Sequence, residues 1–251
     1  MAAPVPIVML HPFPMDAGFW SVVVPHLASE RPVLTPEFPG LGSAPMAEAP
    51  SVDGHADEVA ALIARAAPGG RAAVCGLSLG GYVALSLAIR HPTRVAALVL
   101  ADTRAEADAP EAREGRLASA ARVRAEGTAG FLDELVPRLV AVGDGASLTA
   151  ARALADAQSP EAVARALEAL ADRADRVSDL PDVVAPALVL VGEADALTPI
   201  TAAETLARGL PDAELAVVPG AGHLTALERP DEFADAVRGF LARRLPDRRG
   251  P

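Results

Sequence analysis

The stretch RAAVCGLSLGGYVALSLAIRH, residues 71–91, decides the fold. Its first part, RAAVC, is short and apolar, as a buried strand would be. Its last part, GYVALSLAIRH, is apolar for about three helical turns and stops before Pro92. Between them lies GLSLG, with a single serine, Ser78, at the join. A strand that turns directly into a helix has no room for side chains on the flanking residues, and Gly76 and Gly80 remove them. The turn forces the serine into a strained conformation and aims its hydroxyl out from the C-terminal end of the strand. The helix opens at Leu79, whose backbone N–H points toward the same space.

Working outward, five further apolar runs resemble the one before Ser78: residues 6–10, 32–38, 95–102, 187–195 and 213–220. Continuous apolarity over four to six residues suits strands covered on both faces, as in a parallel sheet. Helical patterns alternate with them, at 19–29, 51–70 with Gly69 as a stop, 199–211 and 229–245. Ser51 is placed to cap the second of these and Pro199 to open the third. The alternation predicts an α/β fold with a doubly wound, mostly parallel sheet of about six strands. One interval breaks the rhythm. Residues 104–180 hold only helical patterns, so a helical cap is expected to be inserted after the fourth strand, over a core of 1–103 and 181–251. The tail PDRRGP, 246–251, is expected to fray.

Composition narrows the function. The formal charge is −11, and all 22 cations are scattered arginines, which argues against nucleic-acid or anionic-membrane partners. Hydrophobic residues make up 51%, enough for a large core, yet no apolar run reaches the length of a membrane span. The N-terminal MAAPVPIVML lacks a signal-peptide pattern, and the lone Cys75 sits in an apolar run, so a cytoplasmic protein with no internal disulfide is expected. No spacing of histidines and cysteines fits a metal site.

A serine hydroxyl needs a base, and the base needs an orienting acid. His223, in the glycine-rich loop PGAGH after the last strand, is placed to bring an imidazole to the sheet edge where Ser78 lies. His26, His55 and His91 fall on or beside helical patterns and read as surface or capping residues; His11 reads as structural. For the acid, Asp195 follows the fifth strand and is favoured. Asp102, at the end of the strand beside the serine's, is the competitor, and Glu193 is third. The chain order Ser78, Asp195, His223 fits this architecture.

The stretches MLHPFPMD (9–16), EFPGLGSA (37–44), CGLSLGGYVAL (75–85), VGEADALTP (191–199) and PGAGHLTALERPDEF (219–233) together resemble the α/β-hydrolase superfamily, and within it small bacterial esterases and enol-lactonases. The resemblance implies an α/β-hydrolase fold, Ser78 as nucleophile, His223 as base and Asp195 as its orienter. It implies an oxyanion hole from the N–H groups of Phe13 and Leu79. The family's usual His-Gly is His11-Pro12 here, which leaves the Phe13 donor intact. It also implies six strands, because the hairpin that precedes the first strand in many relatives is missing. The expected reaction is cleavage of a small-molecule carboxylic ester through an acyl-serine, with no metal or organic cofactor. A lactonase, thioesterase, C–C hydrolase or perhydrolase would use the same residues, and a ligand-binding protein on the same fold is the non-enzymatic alternative. Trp20, Leu77, Phe131, Leu135, Leu197 and Leu224 are the expected substrate-pocket residues. For a carboxylate-bearing substrate, an inward arginine among Arg122, Arg124 and Arg138 is expected.

Overall fold

A computed structural model describes residues 4–246. Six strands hydrogen-bond into one parallel sheet: β1 (Ile7–Leu10), β2 (Val33–Leu34), β3 (Ala72–Leu77), β4 (Val95–Ala101), β5 (Ala187–Gly192) and β6 (Ala213–Val218), in the order β2-β1-β3-β4-β5-β6. The register pairs Ile7 with Val33 and Ala73, Leu98 with Val74 and Ala187, and Ala187 with Ala213. Every residue of β1, β3, β4 and β5 is buried, as their unbroken apolar runs require. β2 and β6 are the edges and are only partly covered. The run at 32–38 contributes only two residues to the ladder, because Pro36 has no N–H to donate. This is the α/β-hydrolase fold.

The helices follow the alternation. α1 (Val24–Leu27) is a single turn preceded by a 3-10 segment at Ala17–Val22, rather than one helix from Phe19. The β-branched run Val22-Val23-Val24 and Pro25 disfavour a longer helix there. α2 (Val52–Ala66) starts on the Ser51 hydroxyl, which accepts from Gly54 N–H at 3.0 Å. α3 (Leu79–Arg90) follows Ser78 directly. Between β4 and β5 come α4 (Pro110–Glu126), α5 (Ala129–Leu135), α6 (Gly145–Asp156) and α7 (Pro160–Ala171); α4 and α7 pack on one another. α8 (Ile200–Gly209), α9 (Thr225–Glu228) and α10 (Pro230–Arg244) complete the chain. α2 and α3 pack together, α3 lies on β1, β3 and β4, and α10 contacts α1, β4 and β6. The expected fraying after Pro246 lies outside the described residues. No helix among the described residues is long and apolar enough to cross a membrane.

β1 and β3 are neighbours whose connections leave in opposite directions, β1 toward β2 and β3 toward β4. The crevice beyond their C-terminal ends is therefore the topological switch point, where open α/β sheets place their ligands. α3 approaches this edge so closely that a Cβ at Gly80 would lie 2.0 Å from the Leu10 carbonyl oxygen, and one at Gly76 would lie 2.0 Å from Gly80 O. Both obstacles are backbone and cannot swing aside.

This close approach predicts a sharp contrast between glycines. Gly80→Ala is expected to cost about 3 kcal/mol or more, or to prevent folding. Gly239→Ala, where a Cβ in α10 would meet only the Arg243 side chain at 3.4 Å, should stabilise by about 0.5–1 kcal/mol. Thermal unfolding of the two variants measures both; equal midpoints would sink the packing argument.

Candidate active site

Ser78 has φ 54° and ψ −112°, a backbone conformation that a residue with a Cβ rarely adopts. Its N–H donates to Ala101 O at 2.9 Å, and its carbonyl accepts from Thr103 Oγ1 at 3.0 Å, Gly81 N–H at 2.9 Å and Tyr82 N–H at 3.1 Å. Four groups on β4, the residues after it and α3 thus fix the turn. The other non-glycine residue with positive φ among the described residues is Asp102, at 46°, ending the adjacent strand.

The Ser78 hydroxyl lies 2.9 Å from His223 Nε2, and His223 Nδ1 lies 2.8 Å from Asp195 Oδ2. A carboxylate only accepts, so the imidazole proton sits on Nδ1 and leaves Nε2 free to accept from the serine. His223 comes from the loop between β6 and α9 and is buried. Its own N–H donates to Leu139 O at 3.1 Å. Asp195 follows β5 and is heavily bonded: Oδ1 accepts from Leu197 and Thr198 N–H at 2.8 and 2.9 Å, and Oδ2 from the Thr198 hydroxyl at 2.5 Å. Burial works against its charge, but the bonds to His223 and Thr198 outweigh it and hold the carboxyl below its ordinary range.

Asp102 does not reach the imidazole. Its carboxylate accepts from Gly192 N–H at 3.0 Å, from Thr225 N–H at 3.2 Å and from the Thr225 hydroxyl at 2.5 Å. Burial, and then the nearby Asp195 charge, push its pKa well above the usual range. Glu193 is also directed elsewhere, accepting from Gly220 N–H at 3.0 Å.

Two backbone donors near Ser78 are unused. Leu79 is the first residue of α3, so its N–H has no acceptor in the helix, and neither it nor Phe13 N–H donates to any group among the described residues. The loop carrying Phe13 is anchored by His11, whose Nε2 accepts from Phe38 N–H at 3.1 Å. Burial lowers the His11 pKa to about 4. His55, expected on the surface, is instead buried and stacked on Phe38 at 5.0 Å between ring centroids, and burial lowers its pKa to about 4 as well. α2 turns this face inward, and one histidine alone could not signal that. His91 caps α3 and lies 2.6 Å from Asp57, and His26 lies 3.5 Å from Asp231. Cys75 is fully buried, and burial pushes its thiol pKa up, as suits a core residue.

A cavity of about 450 Å³ opens over Ser78 and His223. Of the expected pocket residues, Phe131, Leu135 and Leu197 line it, as does Phe13. Trp20, Leu77 and Leu224 do not. Trp20 turns inward with Phe19 and packs 5.9 Å from Phe233, Leu77 is enclosed at the end of β3, and Leu224 is fully buried beside α9. Several wall residues escaped the sequence reading: Tyr82, Arg104, Asp108, Arg116 and Thr198. Arg122 and Arg124 pair with Glu134, and with Glu161 and Glu168, on the surface, whereas Arg138 does line the cavity. Glu228, also unforeseen, accepts from Gly222, Leu224 and Ala141 N–H at 3.0, 3.1 and 2.8 Å and so ties the His223 loop to the segment before α6. No cluster of three metal-ligating side chains occurs among the described residues.

The family model described as "Alpha/beta hydrolase family" matches residues 7–236. A pimeloyl-[acyl-carrier protein] methyl ester esterase of Aromatoleum aromaticum is 37% identical, covering 93% of this chain and 98% of that protein. Among solved structures, a thermophilic esterase from Thermogutta terrifontis, with malate bound, superposes with a TM-score of 0.92 at 34% identity, covering 98% of this chain and 92% of its own. The enol-lactonase of Burkholderia xenovorans superposes with a TM-score of 0.84 at 27% identity, covering 95% and 92%.

The hydrogen-bonded line from Ser78 through His223 to Asp195 predicts a selectively reactive serine. A fluorophosphonate should label the protein once, at Ser78, as read by intact mass. His223→Ala should slow labelling by at least about 100-fold. Labelling that persists in Ser78→Ala would contradict the assignment.

Proposed function

The chain belongs to the alpha/beta hydrolase family, and from that membership we propose that it hydrolyses carboxylic esters through an acyl-enzyme on Ser78. The observation that carries the reading is the 2.9 Å approach of Ser78 Oγ to His223 Nε2, continued at 2.8 Å to Asp195. In this reading Ser78 Oγ attacks the ester carbonyl while His223 Nε2 takes its proton. Asp195, kept ionised by its donors, accepts from Nδ1–H throughout and stabilises the imidazolium. The tetrahedral oxyanion is held by the unused N–H groups of Phe13 and Leu79, each contributing about 3 kcal/mol to lowering the barrier. Collapse expels the alcohol, which receives the proton from His223. Water, deprotonated by the same nitrogen, then cleaves the acyl-serine and regenerates the hydroxyl.

The same reading assigns residues 104–180 as a cap over a core of 1–103 and 181–251. In support, Arg116, Phe131, Leu135 and Leu167 line the cavity from that segment, facing Ser78, Thr198 and His223 of the core. The cap then determines which esters enter, and the core carries out the chemistry. The single buried Cys75 leaves no intramolecular disulfide, which fits a reducing compartment such as the cytoplasm. A lactone is the second substrate reading, favoured by the likeness to the Burkholderia xenovorans enol-lactonase; ring opening uses the same steps with the alcohol kept tethered.

Hydrolysis of p-nitrophenyl acetate and butyrate tests the proposal, with Ser78→Ala expected to abolish it. Asp195→Asn should lower kcat by about 10³- to 10⁴-fold, since the wrong imidazole tautomer results. Asp102→Asn should lower it far less, because its carboxyl makes no bond to His223. A larger loss in Asp102→Asn would reverse the choice of acid.

A further inference from the structure

Arg104 is a cavity residue to which the ester reaction gives no role. It stands two residues beyond Asp102, is half-buried, and lines the same cavity as Ser78 and His223. One of its terminal nitrogens, Nη2, donates to the Leu197 carbonyl. Its Nε is buried and finds no acceptor among the described residues. No carboxylate among them lies within ion-pair range of its guanidinium.

Among the arginines of the described residues, Arg104 alone has a buried nitrogen without a partner. Acids outnumber bases by 33 to 22 in the chain, so arginines commonly meet a carboxylate. Arg116, in the same cavity wall, is neutralised: it lies 2.5 Å from Asp108, which Arg173 also holds at 2.7 Å. Arg124 engages both Glu161 and Glu168, and Arg152 both Asp133 and Asp156. Arg65, Arg71, Arg94 and Arg138 also lack a carboxylate partner among the described residues, but of these only Arg138 shares the cavity with Arg104. Arg138 belongs to the 3-10 turn Val136–Arg138 after α5, lines the cavity, and has no hydrogen-bond or ion-pair partner among the described residues. The charged side chains of this wall are therefore three arginines and one aspartate, the reverse of the chain's overall balance.

Arg104 is also held in place relative to the reacting atoms. Its neighbour Thr103 donates to the Ser78 carbonyl at 3.0 Å, and the Leu197 that receives its Nη2 has its own N–H on Asp195 at 2.8 Å. A half-buried guanidinium fixed on one side, with unused donors, matches a carboxylate: planar, bidentate and opposite in charge. Leaving such donors unpaired in a half-buried wall is costly, and a ligand oxygen would relieve that cost.

We propose that the substrate is an ester or lactone carrying a free carboxylate away from the scissile bond, and that Arg104, aided by Arg138, binds that carboxylate. This inference rests on the ester-hydrolase reading for its substrate and on the cavity geometry for its ligand. The apolar wall of Phe131, Leu135 and Leu197 accommodates the methylene spacer between the two groups.

The test compares monomethyl succinate, glutarate and adipate with their dimethyl esters. For at least one chain length, kcat/KM for the monoester should exceed that for the diester by about tenfold or more. Arg104→Met should lower kcat/KM for the monoester about 10- to 100-fold, at least tenfold more than for the diester, with Arg104→Lys recovering part of the loss and Arg138→Gln giving a smaller loss of the same kind. A preference for the diester at every length, or equal losses on both esters in a folded Arg104→Met, would overturn the proposal. Calorimetric titration of glutarate into Ser78→Ala separates the two readings. Binding that disappears on adding Arg104→Met supports the carboxylate site even if no ester is turned over. Turnover of neutral esters without glutarate binding refutes the site and leaves the hydrolase standing.

Discussion

The left-handed backbone at Ser78 is the constraint from which the site follows. A residue with a Cβ adopts φ 54° only when its surroundings leave no alternative, and here they do not. Its N–H is committed to β4, and its carbonyl is committed to Thr103 and to the first turn of α3. Those bonds form only because α3 can press against β1 and the end of β3, where any side chain on the two flanking glycines would strike backbone. The hydroxyl is thereby placed above the sheet edge at the switch point, and the β5 and β6 loops have only to reach across to it.

Two buried carboxyls lie near the His223 imidazole, and their surroundings set them apart. Asp195 has donors from Leu197, Thr198 and His223 and stays ionised beside the imidazole. Asp102 lies deeper, feels its neighbour's charge, and spends its oxygens on Gly192 and Thr225. It thereby pins the end of β5 and the start of α9 and makes no bond to the imidazole. Neighbouring acids driven in opposite directions are a recurrent way of dividing roles within one site.

Much of the scaffold was legible in the chain because its signals are local. Unbroken apolar runs announced β1, β3, β4 and β5, and GLSLG announced the turn. The edge strand β2 was overread, since a single proline decided where its ladder stopped. Long-range juxtaposition was harder to read. Trp20, Leu77 and Leu224 are as apolar as Phe131 and Leu135, and only tertiary packing tells which of them meet core and which meet open space. Arginines posed the same problem. Arg122 and Arg124 resemble Arg138 in sequence, yet Arg124 is neutralised by acids 37 and 44 residues away, while Arg104 was passed over. Thr198 and Glu228 lay within the quoted stretches VGEADALTP and PGAGHLTALERPDEF, but their work is done through backbone N–H groups that a residue pattern does not display.

Glu228 has one further consequence. Its carboxylate grips Gly222 and Leu224 on either side of His223 and also Ala141, while His223 N–H hangs from Leu139 O. Leu139 itself forms part of the cavity wall. The wall and the imidazole are consequently one mechanical linkage. An oversized guest that wedges Leu139 outward must either rupture these tethers or drag the ring off its 2.9 Å contact with Ser78. Size discrimination can thus be enforced by misalignment, with the wrong guest admitted but left unreacted.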